Sequence, residues 1–354
     1  MKSSKLSVSM FPESWRNNPV LDLWENALED KGIEFVKVGS DYVTFNWLLR
    51  ERKKVDVLHF HWIEYHYTRP SLIFSWLNLI KFLVKLITAR LLGYRLVWTV
   101  HNLLPHEQRQ ALLDRTAGYL VCQVVNSVMV MCEEGRKQVN HFFHRYKQVF
   151  TGYLGNYISV YPDTLSRKEA RAILNLPDQQ MVFLFFGSIR RYKGVEELIK
   201  CYQSLQVEKT CLLICGKPID DTYKQTIESL ARADSRIITK IDWIDNQEVQ
   251  VYFKAADVAV LPFNNILTSS SIMLAHSFSL PVVTPAIGCS PEIITEETGF
   301  LYDPASTGEL KEKMLLCITK RQDLPAMGRL AFKRMQEFTW ERLANITCQA
   351  YGIN

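Results

Sequence analysis

Between Val258 and Glu292 the chain reads VAVLPFNNILTSSSIMLAHSFSLPVVTPAIGCSPE, and no other segment constrains the fold as much. The apolar run Val258–Leu261 is cut short by Pro262, which reads as a buried strand followed by a loop. Thr268, Ser269, Ser270 and Ser271 then stand directly before an apolar, helix-length stretch, Ile272–Phe278. A second strand follows at Pro281–Thr284, and a loop carrying Gly288 and Glu292 closes the unit. Strand, helix and strand in that order make a crossover in a parallel sheet. Hydroxyl residues at the start of the helix can cap it, and their side chains and the free backbone N–H groups converge where an anion would sit.

The same alternation fills the rest of the chain. Strands are predicted at residues 7–11, Ile33–Val38, Val55–Trp62, Arg95–His101 and Val128–Met131, then at Val182–Phe186, Leu212–Cys215 and Ile237–Lys240. Helix-length segments lie between them. Asn18-Pro19 suits an N-cap with Pro at the first helical position, opening a helix over roughly Pro19–Asp30. At 354 residues the chain has room for two such α/β halves, and turn residues over Tyr153–Pro177 mark the junction. A formal net charge of +5 is small for this length and gives nucleic acid no large basic surface. Cys211 and Cys215 fall in one apolar strand and read as core filling, free thiols in a reducing compartment. Met1–Leu6 is polar and the apolar run behind it is short, so no signal peptide is expected and a cytoplasmic location follows.

A second chemical signal is FFGSIRRYKGVEELI, Phe185–Ile199. Its strand ends at Gly187, and a short loop brings Arg190, Arg191 and Lys193 to the start of a helix, where cations and free N–H groups suit a diphosphate. Asp-x-Asp does not occur, so no paired carboxylates are spaced to chelate a metal, and no metal site is expected. A departing nucleoside diphosphate would then rely on protein cations. Gly-x-Gly is also absent, which speaks against a dinucleotide-binding dehydrogenase. Gly216-Lys217 is followed by Pro218, and Cys211 stands where the first Gly of a P-loop belongs, which excludes that motif.

These two stretches together resemble the donor-sugar half of the GT-B glycosyltransferases, most closely the bacterial nucleotide-sugar enzymes of family 4. The family's two Glu residues, with seven others between them, fall on Ile266 and Leu274, so both acids are replaced. Thr268–Ser271 read as a different way of holding the same donor. Lys193-Gly194 matches the family pattern, whereas the family's Arg position holds Ser188, with Arg190 two residues on as its substitute. Glu292 matches the Glu of the family's late loop and is a further donor-side candidate. The family often has a Gly-rich turn after the first strand. No Gly precedes Gly32 here, and Asn18 is the polar residue left near that turn.

In the first half, DVLHFHW (Asp56–Trp62) and WTVHNLLPHE (Trp98–Glu107) each place histidine at the C-terminal end of an apolar strand, the ligand-binding edge of an open parallel sheet. His101 matches a histidine that the family keeps near the donor sugar. It is the candidate catalytic residue, either as the base for the acceptor proton or as a neutral imidazole that orients a sugar hydroxyl. His61, Glu64, His106 and Glu107 are acceptor-side candidates, and one of His59 and His61 is expected to be a satisfied core histidine.

Ser71–Leu92 is unusually apolar, 15 of 22 residues, yet it holds Lys81, Lys85 and Arg90. Three cations argue against a membrane span. Two readings stand: a crossover helix packed on the sheet, or one that also lies on an anionic membrane surface.

The resemblance implies two Rossmann-like parallel-sheet domains facing across a cleft. Residues 1–160 would form the acceptor-binding domain, with a closing helix in 338–354 crossing back onto it, and 161–337 the donor-binding domain. It implies transfer of a sugar from a UDP- or GDP-linked donor, a co-substrate with no other cofactor, to a hydroxyl. The acceptor expected is a lipid-linked glycan of cell-surface polysaccharide synthesis, and the enzyme would sit peripherally on the inner face of the membrane. A catalytically silent GT-B protein binding nucleotide-sugar or glycan, and a sugar-nucleotide epimerase of the same fold, are the alternatives.

Overall fold

The computed structural model describes residues 5–13, 19–105 and 110–353. The chain forms two compact units, Met1–Gly155 with Phe338–Asn354, and Asn156–Glu337. In the first unit β1 (Ser7–Phe11), β2 (Glu34–Phe35), β3 (Val57–Phe60), β4 (Arg95–Val100), β5 (Ser127–Val130) and β6 (Val149–Thr151) make one sheet. Its order is β2-β1-β3-β4-β5-β6, and every ladder is parallel. Strands covered on both faces read as continuous apolar runs, and β3, β5 and nearly all of β4 are fully buried. The strand order reverses direction between β1 and β3, the place where an open α/β sheet binds ligands beyond its carboxyl ends.

Two of the strands expected here are shorter than the sequence suggests. Ile33–Val38 pairs only over Glu34–Phe35 at the sheet edge. Val55–Trp62 ends at Phe60, so His61 and Trp62 leave the ladder and belong to the loop above it.

The crossover from β3 to β4 contains the helix Leu72–Leu91. Ser75, Leu79, Phe82, Leu86 and Ala89 form its buried stripe at alternating three- and four-residue spacing. Ile73, Leu77, Ile80, Val84, Ile87 and Leu91 repeat that spacing two positions earlier and are all exposed, Leu91 at 83%. Packing on the sheet therefore uses one side, and a second apolar stripe lies on the other. By length and composition this helix could also cross a membrane, yet its buried stripe packs against the body of the unit.

The helix Trp340–Ala350 closes the first unit. Trp24 Nε1 donates to Thr347 Oγ1 at 2.9 Å, Arg95 Nε donates to the Ala350 carbonyl at 2.8 Å, and Lys31 pairs with Glu341 at 2.7 Å.

In the second unit β7 (Met181–Phe186), β8 (Thr210–Cys215), β9 (Ile237–Lys240), β10 (Val258–Val260), β11 (Val282–Pro285) and β12 (Gly299–Tyr302) form a sheet in the order β12-β11-β10-β7-β8-β9. Its ladders are parallel. This is the strand order of the dinucleotide-binding fold, with the reversal between β7 and β10. Cys211 and Cys215 are buried free thiols, as the core reading expects. Arg171, fully buried, pairs with Asp257 at 2.9 Å and donates to the carbonyls of Ala255, Pro177, Asp178 and Gln180. Asp257 also accepts from the Val182 amide at 2.8 Å. Each nitrogen of that guanidinium thus has a partner, the condition under which a buried ion pair is tolerated.

Candidate functional site

The second unit gathers its polar groups at the β7/β10 reversal. β7 ends at Gly187, whose φ of +143° is open to glycine and strained for any other residue. A Cβ there would lie 3.1 Å from Ser271 Oγ and 4.0 Å from Lys193 Nζ. The backbone of the turn, the lysine ammonium and the serine hydroxyl therefore converge on one small space. Gly194 has φ +70°, and a Cβ on it would meet the Pro262 carbonyl at 2.0 Å, so the turn after β7 and the loop after β10 are pressed together.

Lys193 is 8% exposed. Its ammonium lies 4.7 Å from the Phe263 ring centre and 5.6 Å from that of Tyr192. Burial, with the charge of Arg190 adding to it, pushes its pKa down to about 8. A buried ammonium held over aromatic faces is a site prepared for an anion. Arg190 itself is exposed, and Arg191 is turned to Glu196 at 3.6 Å and to the Tyr223 ring at 4.7 Å. Ser188 is exposed in the same turn.

The hydroxyl run behaves differently from a simple cap. The helix is Ser270–Ser277, starting two residues earlier than expected, and its N-cap Ser269 makes no side-chain cap hydrogen bond. Ser269 Oγ is instead buried without a partner among the described residues. An orphaned buried hydroxyl in a native site calls for a missing partner. Ser270 hydrogen-bonds the Tyr157 hydroxyl, Ser271 faces Gly187, and Thr268 is half-buried. Ile266 and Leu274, where the family pattern has acids, are buried apolar residues. Glu292 sits half-buried on the short helix Ser290–Ile293. The preceding loop lies against the run, with the Cys289 amide donating to the Leu267 carbonyl at 2.8 Å.

The first unit has a pocket above β3 and β4, lined by His61, Trp62, Glu64, Tyr67, His101 and Asp114 among others. His59 lies in β3, where His59 Nε2 meets Thr99 Oγ1 at 2.7 Å and His59 Nδ1 meets the Tyr351 hydroxyl at 2.8 Å. It is the satisfied core histidine. His61 Nδ1 and His101 Nε2 lie 2.9 Å apart, and the Trp62 ring stacks on His101 with centres 4.4 Å apart. Burial holds His101 near a pKa of about 3 and His61 well below the usual imidazole range. Both are therefore neutral. A histidine so weakly basic suits hydrogen bonding to a sugar better than acceptance of a proton.

Glu64 opens a short helix, and burial, followed by the nearby charge of Asp114, raises its pKa to about 7. Tyr67 Oη donates to Asp114 Oδ1 at 2.9 Å, and burial raises the Asp114 carboxyl as well. Sequence reasoning passes over Asp114 and Tyr67. Asp114 looks like a first-turn helix acid, and the separation of 47 positions between the two hides their contact. Asn18, His106 and Glu107 lie outside the described residues. Among the described residues no group of three His, Cys, Asp or Glu side chains could hold a metal.

Two reversed parallel sheets, the second carrying a buried lysine and an orphaned hydroxyl at its reversal point, are the arrangement of the GT-B fold. Residues 166–334 match the family model described as Glycosyl transferases group 1, and the second unit is a domain of that family. The GDP-mannose:glycolipid 4-beta-D-mannosyltransferase of Xanthomonas campestris pv. campestris is 26% identical over 303 residues, 80% of each chain. Among solved structures, sucrose-phosphate synthase (tll1590) from Thermosynechococcus elongatus superposes with a TM-score of 0.75 at 19% identity, covering 98% of both chains. Anabaena Alr3699/HepE in complex with UDP and glucose gives a TM-score of 0.75 at 14% identity, covering 98% of this chain and 99% of that one. These structural likenesses establish the fold.

Proposed function

We propose that this glycosyltransferase moves a sugar from a UDP- or GDP-linked donor to a hydroxyl of a lipid-linked glycan in cell-surface polysaccharide synthesis. One observation carries the donor assignment: Lys193 is buried beside Gly187 and Ser271 at the β7/β10 reversal. A diphosphate there would satisfy the ammonium and meet the free amides at the start of Ser270–Ser277. As the sugar–phosphate bond breaks, the leaving diphosphate gains negative charge, and Lys193, with Arg190 nearby, would stabilise it. A glycolipid acceptor and a GDP-linked donor both stand in the name of the Xanthomonas relative, and UDP is bound in the Anabaena neighbour. Incubation with radiolabelled UDP- and GDP-sugars plus a lipid-linked oligosaccharide tests the reading. Label in the lipid phase supports it, whereas epimerised donor or untouched donor across the whole panel would overturn it.

The lipid acceptor also fits the helix Leu72–Leu91. Its exposed apolar stripe is flanked by Lys81 and Lys85, and an apolar stripe beside cations is the pattern of a helix lying on anionic lipid. Sedimentation with anionic phospholipid vesicles should carry the protein down at low salt, and Lys81→Gln with Lys85→Gln should release it. A wild type that ignores such vesicles would show that the stripe does not serve a membrane.

A further inference from the structure

His61 and His101 form a closed pair within the first unit. His61 is 2% exposed and His101 7%. Their rings are nearly parallel, 5.2 Å between centres and 28° apart, with the 2.9 Å contact joining His61 Nδ1 to His101 Nε2. Each neighbour restricts movement. Trp98 Nε1 donates to the His61 carbonyl at 3.0 Å, Trp24 meets the His61 ring edge-on at 5.3 Å, and Trp62 covers the His101 face. The remaining nitrogen, His61 Nε2, is buried with no partner among the described residues.

A hydrogen bond between two neutral imidazoles has two possible directions. If His101 Nε2–H donates, His61 must carry its proton on Nε2, which leaves a buried N–H without an acceptor. If His61 Nδ1–H donates, His61 Nε2 keeps only a bare lone pair, and His101 carries its proton on Nδ1. Orphaned buried N–H groups are the rarer and more costly of the two defects. We propose that His61 is a positioning residue that donates from Nδ1 to His101 Nε2 and so fixes His101 as an Nδ1–H donor to an oxygen of the sugar substrate. The assignment deepens the proposed function, because it rests on His101 serving sugar transfer. His101 then donates a hydrogen bond to the sugar and takes no proton from the acceptor. His61 acts only through it.

Two-bond proton–nitrogen correlation on the full chain labelled with ¹⁵N-histidine, at pH 7, reads the tautomers directly, and His101→Ala assigns the signals. The expected wild-type pattern is a protonated Nδ1 and a bare Nε2 on His101. In His61→Phe the donor is gone, and His101 should move to the Nε2–H form or a mixture. In His61→Asn an amide N–H near the former Nδ1 should keep the original form. Turnover should fall about 10- to 100-fold in His61→Phe, as for a misplaced catalytic group, with donor Kd unchanged, and should largely return in His61→Asn. A wild-type His101 protonated on Nε2, or an unaltered Nδ1–H form in His61→Phe, would overturn the proposal. Should His61→Phe fail to fold, the wild-type spectrum and His61→Asn still decide it. Full turnover in His101→Ala would instead remove the function read for His101 while leaving the tautomer result intact.

Discussion

Lys193→Met should make the ligand-free protein more stable and its donor binding weaker. The ammonium is held where its own fold disfavours it: buried, over Phe263 and Tyr192, with its pKa lowered from 10.5 to about 8 by burial first and Arg190 second. At ~1.4 kcal/mol per pKa unit the folded state loses ~3 kcal/mol by keeping this charge at pH 7. Methionine keeps the apolar stem and removes the charge, so the ligand-free protein should gain up to ~3 kcal/mol, a rise of several degrees in Tm. A charge-assisted contact to phosphate contributes ~1.5–3 kcal/mol, so the Kd for UDP or GDP should rise about 10- to 100-fold. The pH dependence has a defined sign. Between about 8 and 10.5 the unfolded chain holds a proton that the folded one has released. Stability contributed by Lys193 therefore rises with pH across that window, and the methionine variant should lack the rise. Scanning calorimetry reads the first effect and titration calorimetry the second. Unchanged nucleotide affinity in a folded Lys193→Met protein would refute the diphosphate assignment.

Three further outcomes follow from the same geometry. His101→Ala should lower turnover about 10²-fold or more while donor Kd stays within about twofold, and wild-type turnover should show no histidine step near pH 6–7, because burial keeps this imidazole neutral; a clear step there that His101→Ala abolishes would contradict it. Ser269→Ala removes a hydroxyl that is buried without a partner among the described residues, so Tm should hold or rise while donor Kd increases severalfold; a large drop in Tm would mean the hydroxyl is paired within the fold. His59, His66 and His101 are held near a pKa of about 3 by burial, against an unfolded value near 6.5, and so take up protons only on unfolding. Each removes ~1.4 kcal/mol per pH unit as pH falls below about 6, outweighing the opposite contribution of Glu64. Urea midpoints at pH 7 and 5 should differ strongly, and equal midpoints would rule this out.

The long buried strands and the reversal-point loop of the second unit are legible in the sequence because their signals are local. Val258–Leu261, the hydroxyl run and Val282–Thr284 form an unbroken series of segments, and Lys193-Gly194 stands at a strand end. The edge strands β2 and β6 are two and three residues long and carry no periodicity to read. Ser269 looks like a helix cap by position, and only the three-dimensional environment shows its hydroxyl making no cap bond. Which of His59 and His61 is satisfied depends on Tyr351, 292 residues away from His59. The Tyr67–Asp114 contact is equally non-local. Site chemistry built from such distant partners is written in packing.

If the Gly187–Lys193–Ser271 turn holds the diphosphate of a nucleotide donor, a crystal structure with UDP or GDP soaked in shows it most directly. A phosphate oxygen is expected within about 3 Å of both Lys193 Nζ and Ser271 Oγ. A nucleotide bound with its diphosphate away from both groups would contradict the assignment.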